Sequence, residues 1–429
     1  MTEHYIKSEN YEKGAEYSKL ASKKSEKTAS INGAVAFNKK RIACLERLPV
    51  TENVQKEMID ARTALGLYFI QLNYPIEAKE AVDPILDMAL MSNHKRRLSQ
   101  IYTIIGHYEF EVEEDLPKAL NHFEKALKIA QEVKDNLSQF FANYCLGLAL
   151  FWYCEFEKAY HHFEKALEID MATNTLYGIS AMKSFLSWVN LHQGNIHLGY
   201  QTSEEALRMA EESGDIYSKS VAYVNHGFSC TCKGLPEEAE VYLLKGKDFC
   251  EKINFFIWST FAHIYLGERY FQIREYEKSK VCYEKAIRYL IQARFGPSRI
   301  NLCRMGLTRA NVMRKEKGFD LKSLSEYVQE NKVKELDGQM RRYMGEILLN
   351  IDEQHLSEAG EWIKKAIEAD TKNGMMWHVG RDYALYAEMF KRKGEQSKAK
   401  ENLGKAIEIM KECGADGWVK KYAKELAEL

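Results

Sequence analysis

Small residues recur at intervals of forty along most of this 429-residue chain. Steps of forty from the first "HFEKAL" meet Ala or Gly at seven of eight positions: Ala126, Ala166, Ala206, Gly246, Ala286, Ala366 and Ala406, with Glu326 as the exception. Further columns of small residues start at Gly147 and Ala159. A fixed period of roughly 20–50 residues is the signature of a repeat architecture. The second "HFEKAL", at 162–167, is therefore predicted to be a packing module and to carry no chemistry.

Each unit of the repeat is predicted to be a pair of antiparallel helices. Ala159, Phe163 and Ala166 are spaced i, i+4, i+7, which places them on one face of a helix. Gly147 lies upstream across the polar break "CEFEK", on the preceding helix. Only six prolines interrupt the chain, which favours helix nearly throughout. The predicted packing residues are Gly147, Ala159, Phe163, Ala166, Gly227, Ala239, Gly267, Ala286, Ala399 and Ala406.

The pattern resembles the tetratricopeptide repeat (TPR) family. The resemblance depends on "LG" at 146–147 and 266–267, each followed by a small residue, an aromatic residue and Ala. It implies an all-α fold, an α-α superhelix (TPR-like solenoid) of about ten antiparallel helix pairs plus a C-terminal capping helix. The forty-residue unit is longer than the family's usual repeat of about 34 residues, which predicts longer helices.

The predicted organisation is a single solenoid over 1–429. Within it, we expect degenerate repeats at 1–90, regular forty-residue repeats at 97–290, a degenerate repeat or bend at 297–335, regular repeats at 336–412 and a capping helix at 415–429.

The first residues carry a narrower resemblance. The segment "EHYIKSENYEKGAEYSKLASKKSEK", leading into "AVAFNKKRIACLERLP", is similar to the start of the C-terminal repeat region of large bacterial signalling proteins. In those proteins a class III adenylate/guanylate cyclase or a protein kinase, and then an AAA-type ATPase, precede the repeats. The resemblance implies that such catalytic domains precede this region in a longer parent protein.

Nothing in the sequence predicts a catalytic residue, a cofactor or a metal site in this chain. There is no phosphate-binding glycine loop and no H-E-x-x-H, and His161 and His162 are adjacent and so point to different faces of a helix. A net charge of −1 argues against nucleic-acid binding. The N-terminus has no signal-peptide pattern, and the uncharged stretch 136–154 contains amide side chains unsuited to lipid. We therefore expect a cytoplasmic protein that does not bind membranes.

The resemblance implies that the first helix of each pair lines the concave side, where TPR proteins bind partners. A row of aromatic residues there would suit an amphipathic helix, an extended peptide or an aromatic ligand. Trp152 and Trp188 are the strongest candidates, because tryptophans facing solvent are costly unless they bind something. The alternative is that these side chains pack between neighbouring helices. The candidates are Phe141, Tyr144, Leu148, Phe151, Trp152, Trp188, His192, Phe228, Phe261 and Phe271.

A second candidate is basic. It consists of Arg288, Arg294, Arg299, Arg304, Arg309, Arg314, Lys315 and Lys317. Steps of five residues spread the arginines around a helix, which favours a solvated or interface-lining role, while recognition of an acidic or phosphorylated partner is the alternative.

Together these features predict a protein- or peptide-binding regulatory scaffold of a bacterial signalling system, with partners in the concave groove. Two alternatives stay open: the non-catalytic C-terminal sensor part of an adenylate/guanylate cyclase or AAA-type ATPase, and a small-molecule sensor that uses the same groove. The partner is a protein or peptide, with catalytic domains in cis as a further possibility.

Overall fold

The computed structural model describes residues 2–27, 30–316 and 318–429, and these residues form helices and turns without a β-strand. The predicted all-α repeat solenoid is confirmed. The chain divides into two compact units, Met1–Ala149 and Leu150–Leu429. The predicted repeat boundaries at 1–90, 97–290, 297–335 and 336–412 stay predictions.

The first unit contains α1 to α8 and most of α9, with a 3₁₀ turn at Asp83–Ile85. The helices are α1 Thr2–Lys7, α2 Tyr11–Lys27, α3 Ile31–Leu45, α4 Glu52–Gln71, α5 Pro75–Val82, α6 Leu86–Met91, α7 Lys95–Glu111, α8 Leu116–Glu132 and α9 Asn136–Trp152. Its core is aliphatic, with Ile59, Val82, Ile101 and Ile104 all fully buried.

The second unit contains the end of α9 and all later helices, with a 3₁₀ turn at Glu353–His355. They are α10 Phe156–Ala172, α11 Leu176–Gln193, α12 Ile196–Ser213, α13 Ile216–Lys233, α14 Pro236–Lys252, α15 Phe256–Gln272, α16 Tyr276–Ala293, α17 Pro297–Met313, α18 Leu321–Gln329, α19 Lys334–Ile351, α20 Leu356–Lys372, α21 Met376–Arg392, α22 Gln396–Cys413 and α23 Asp416–Ala427. The short α18 lies in the segment whose repeat pattern is degenerate.

The forty-residue period is the sum of two helix–turn steps of twenty residues. A residue with positive φ ends each step from Glu114 to Arg294, and the same spacing returns at Gly374, Gly394 and Gly414. Left-handed backbone at this position stops a helix and satisfies its last carbonyl groups. The spacing is interrupted between Arg294 and Gly374, where the repeat pattern of the sequence is also degenerate.

The second unit also closes on itself. Helix α11 contacts α21, and α13 contacts α23, although about 180 residues separate the partners in the chain. A Cβ added to Gly194 would lie 2.8 Å from Cys413 Sγ, and one added to Gly417 would collide with the backbone of Gly234. Glycine is therefore required where these distant helices meet.

Candidate functional site

The first helices of the pairs in the second unit (α11, α13, α15, α17, α19 and α21) turn one side toward the middle of the unit, and we call this side the inner face. Aromatic rings fill much of it. Trp188 lies 4.9 Å from Phe151 and 5.0 Å from Phe261, ring centre to ring centre. Phe228 lies 6.1 Å from Trp377, so rings from α13 and α21 meet across the inner face.

The premise that Trp152 and Trp188 face solvent is wrong, because they are 6% and 4% exposed. Trp152 packs against Phe295 and Arg299, so the α16–α17 region covers its ring. Trp188 packs between Phe151 and Phe261, so the neighbouring first helices cover it. Four other candidates of the second unit are also buried: Phe151, His192, Phe228 and Phe261. A binding role for these residues stays a prediction.

The remaining candidates are differently placed. Phe271, near the end of α15, is half-buried beneath the guanidinium of Arg309, which lies 3.9 Å from the ring centre. In the first unit, Phe141 and Tyr144 are half-buried and Leu148 is buried. Their binding role is likewise still a prediction.

The predicted packing residues lie at helix–helix contacts or in the interior. A Cβ added to Gly227 would lie 2.6 Å from Leu243 Cγ, and one added to Gly267 would lie 3.1 Å from the ring of Tyr283. Gly147 is buried, as are the others: Ala159, Phe163, Ala166, Ala239, Ala286, Ala399 and Ala406.

Glu268 stands at the centre of a buried ion cluster. Its Oε2 accepts from Arg309 Nη2 at 2.9 Å and from the Tyr343 hydroxyl at 2.8 Å, while Oε1 accepts from Arg381. The Tyr283 hydroxyl adds a longer contact of 3.4 Å. Burial opposes ionisation of this carboxyl, but the positive charges of Arg309 and Arg381 outweigh it and hold its pKa well below the usual range.

A second group of buried charges surrounds Arg342. Its Nη1 donates to Asp382 Oδ1 at 2.8 Å and lies 3.7 Å from Asp370 Oδ2. Burial, with the nearby Asp382 carboxylate, raises the pKa of Asp370 well above its usual range. A Cβ on Gly338 would collide with the Asp370 carboxyl, so the glycine of α19 makes room for this group.

A third group joins α11, α17 and α19. Arg299 Nη2 donates to Glu335 Oε2 at 3.2 Å, and His192 Nε2 lies 3.7 Å from Glu335 Oε1. Burial opposes the charge on Glu335, but Arg299 and His192 outweigh it, so the pKa of Glu335 is lowered. The Arg299 guanidinium also lies 4.9 Å from the ring centres of Trp152 and Phe261.

The basic stretch noted in the sequence is thus partly internal. Arg299 and Arg309 are buried in ion pairs, and Arg314 binds Glu277 and Glu316 at 2.6 and 2.8 Å. Lys317 lies outside the described residues. Arg288, Arg294, Arg304 and Lys315 are exposed, so recognition of an acidic partner by this part of the stretch stays a prediction.

Sequence reasoning missed the acidic partners of these arginines. It also missed Arg342 and Arg381, which lie farther along the chain. Glu268 directly follows Gly267 of the small-residue column, on a helix face that must be buried. A charged residue beside a predicted packing position was the available signal. Its partner Arg381 is 113 residues away, beyond the reach of a pattern that repeats every forty.

Two cavities meet at the bond between Glu268 and Arg381. The outer cavity measures about 370 Å³ and lies between the ends of α15, α19 and α21 and one side of α23. The inner cavity measures about 30 Å³ and is lined by His192, Glu335 and Trp377 among others. Glu268 and Arg381 line both cavities, so this pair separates them.

Helix α23 forms one wall of the outer cavity. Trp418 and Tyr422 face the cavity and are 6% and 5% exposed. Trp418 Nε1 donates to the carbonyl oxygen of Thr231 at 2.9 Å, which attaches α23 to α13. The capping helix therefore also takes part in the candidate site.

One arrangement in the second unit has the residue types of a catalytic centre. Ser203 Oγ lies 2.8 Å from His226 Nδ1, and Cys230 Sγ lies 3.7 Å from His226 Nε2. Burial lowers the pKa of His226 to about 4 and raises that of Cys230 to about 12. The thiol and the ring are therefore both neutral and enclosed, the opposite of an activated thiolate.

Among the described residues, no group of three or more His, Cys, Asp and Glu side chains is placed to hold a metal ion. In the same part of the chain, each helix is too short or too polar to cross a membrane.

Solved structures of helical-repeat proteins share this fold. A Rap protein complexed with competence and sporulation factor has a TM-score of 0.59 at 16% identity, over 89% of this chain and 99% of that one. The Rap conjugation gene regulator of the plasmid pLS20, in complex with the Phr* peptide, has a TM-score of 0.55 at 14% identity, over 84% and 96%. The apo form of RapI has a TM-score of 0.51 at 12% identity, over 64% and 97%.

No family model matches the sequence, and no curated protein does. At these low identities the likeness shows the fold alone: a TPR-like helical solenoid of the kind seen in Rap proteins.

Proposed function

We propose that this chain is a regulatory protein that binds a peptide in the outer cavity of its second unit. The observation that carries the proposal is the outer cavity itself, about 370 Å³, in which aromatic rings surround buried charged groups. This volume lies within the range of about 300–1,000 Å³ that ligand sites occupy, while the lining carries more charged side chains than the mostly apolar walls of such sites. Two neighbours of the same fold were solved with a peptide or signalling factor bound.

Binding would exploit differences between the two sides of the cavity. Phe271, Trp418 and Tyr422 offer ring faces for apolar side chains, while Arg381 and Glu268 offer charge beneath them. The peptide would regulate by stabilising one arrangement of α23 against α21, because both helices line the cavity.

The experiment is capture of peptides from a random library by the immobilised full chain, followed by sequencing of the bound fraction. Phe271→Ala, which removes a ring from the cavity wall, should abolish enrichment. Phe390→Ala is the matched control, since Phe390 is a half-buried ring of α21 that does not line the cavity. Equal enrichment by both variants, or none by the wild type, would refute a peptide site here.

A small-molecule sensor is the second candidate, favoured by the same cavity volume. A metabolite library that raises the melting temperature of the wild type, but not of Phe271→Ala, would support it over a peptide.

The broader setting that we propose is a cytoplasmic bacterial signalling system with catalytic domains in cis. Its support is the resemblance carried by residues 3–27 and 34–49 to the repeat regions of cyclase and AAA-type signalling proteins. An immunoblot of the endogenous protein separates the cases: a band well above the 49.7 kDa of this chain supports attached domains, and a band at that mass opposes them.

A further inference from the structure

Arg381 is a buried cation with unused hydrogen-bonding capacity at the floor of the outer cavity. It is 9% exposed, and among the described residues only Glu268 accepts a hydrogen bond from it. A guanidinium has five N–H donors. Its other contacts are with rings: the guanidinium lies 5.0 Å from the centre of Trp377 and 5.7 Å from that of Trp418.

Glu268 does not depend on Arg381 alone. It keeps Arg309 at 2.9 Å and the Tyr343 hydroxyl at 2.8 Å if Arg381 turns away. If Arg381 moved its hydrogen bonds from Glu268 to a carboxylate of the ligand, Glu268 would keep Arg309 and Arg381 would have the ligand, so neither charge would be unpaired. A buried ion pair is costly to break when one of its charges is left without any partner.

The planar fork of a guanidinium matches a carboxylate with two parallel hydrogen bonds. We propose, on the basis of the proposed peptide-binding function, that the outer cavity holds a subsite for a free carboxylate of the ligand, and that Arg381 binds it. The source is either the C-terminal carboxylate of a peptide or an acidic side chain.

The mouth of the cavity carries both signs of charge. Its charged side chains are Arg274, Lys391, Lys421, Glu388, Glu425 and Glu428. Arg392 Nε donates a hydrogen bond to Glu388 at 2.8 Å, so one of the three carboxylates already has a basic partner. Because both signs of charge are present at the mouth, selection of an anion depends on Arg381 at the floor. Lys391 and Lys421 provide exposed positive charges at the mouth, which an anion passes before it reaches Arg381.

Small probes test this subsite without knowledge of the natural peptide. N-acetyl-leucine carries the α-carboxylate, N-acetyl-leucinamide lacks it, and the α-amide of N-acetyl-glutamic acid carries a side-chain carboxylate. We expect one or both acids at up to about 50 mM to raise the melting temperature and change tryptophan fluorescence, since Trp377 and Trp418 flank Arg381. The acid that binds identifies the source. The neutral amide should bind at least tenfold more weakly.

Arg381→Gln should remove the difference between acid and amide, and Arg381→Lys should retain part of it. Arg269→Gln is the matched control, because Arg269 is a similarly buried arginine of α15 that does not line the cavity. Circular dichroism establishes that each variant is folded. If Arg381→Gln unfolds, the comparison is made with Arg381→Lys.

Three results would overturn the carboxylate subsite: equal responses of the wild type to acid and amide, no response to either acid, or an acid–amide difference that stays at the wild-type size in folded Arg381→Gln or, if that variant unfolds, in Arg381→Lys. If library peptides still require Phe271 while their acid and amide forms bind equally, the subsite fails and the peptide-binding function stands. If no library peptide is captured at all, the function itself fails.

Discussion

Gly417 of α23 and Gly234 at the end of α13 are in backbone contact, so close that neither tolerates a side chain toward the other. The next residue, Trp418, donates its indole N–H to Thr231. Two adjacent positions on α23 thus hold it against a helix about 180 residues earlier in the chain. The closure of the second unit at this end depends on that contact.

Gly417→Ala should weaken the attachment of α23, because the added methyl group collides with the Gly234 carbonyl. We expect faster amide exchange in residues 416–427 and in the end of α13, with the rest of the unit near wild type. Hydrogen exchange with mass spectrometry measures this. Gly404→Ala is the control, since a Cβ at Gly404 meets nothing within 4 Å.

Trp418→Phe isolates the hydrogen bond to Thr231, since a ring remains to pack against Trp377. Loss of this hydrogen bond should lower the free energy of unfolding by about 0.5–1.5 kcal/mol, because the Thr231 carbonyl loses its indole donor but keeps the Gly234 N–H at 3.2 Å. Thermal unfolding gives the result. An unchanged melting temperature would show that the bond is not needed for closure.

Glu268→Gln should be strongly destabilising, by about 3–5 kcal/mol, because Arg381 would lose the charge that compensates it inside the protein and Arg309 would keep only Glu346. Glu240→Gln is the comparison: Glu240 also accepts from a tyrosine, Tyr270 at 3.1 Å, but lies nearer the surface. Chemical denaturation of both variants measures the difference. Similar small losses would mean that the cluster contributes little to stability.

Trp188→Ala should cost about 3–5 kcal/mol, because Trp188 packs against Phe151, Trp258 and Phe261. A loss of ligand binding in this variant would therefore not by itself locate a binding site. Melting temperature and ligand capture must be measured together. Binding lost at a near-normal melting temperature would restore Trp188 as a direct contact.

Stability should rise with pH between about 4 and 6.5 as far as His226 is concerned. Burial lowers its folded pKa to about 4, so in this window the unfolded chain binds a proton that the folded chain does not. The sign is therefore loss of stability on acidification, at about 1.4 kcal/mol per pH unit for one proton. His226→Gln should reduce the slope of melting temperature against pH, while a variant of exposed His161 should keep it.

The sequence was sufficient to predict the helix pairs, because small residues every forty positions mark the helix contacts within one repeat and between adjacent repeats. It was not sufficient for the inner face. Trp188 is buried by the rings of Phe151 on α9 and Phe261 on α15, which the period of forty does not reveal. Phe228 packs against Trp377 of α21, which only closure of the unit brings near. Glu268 and Arg381 are likewise paired by closure of the unit, which no local pattern encodes.

The ion cluster has a consequence for how the repeats choose their partners. Because the repeats share the same columns of small residues, distant helices could in principle pair one repeat out of step. Such a shift would put Phe228 or Thr308 where Glu268 now stands. Arg381 would then be left buried without a counter-charge, and Arg309 would keep only Glu346, 2.9 Å away. The charges thus make the pairing of distant helices unique, a role that buried polar groups also have in fixing the register of coiled coils.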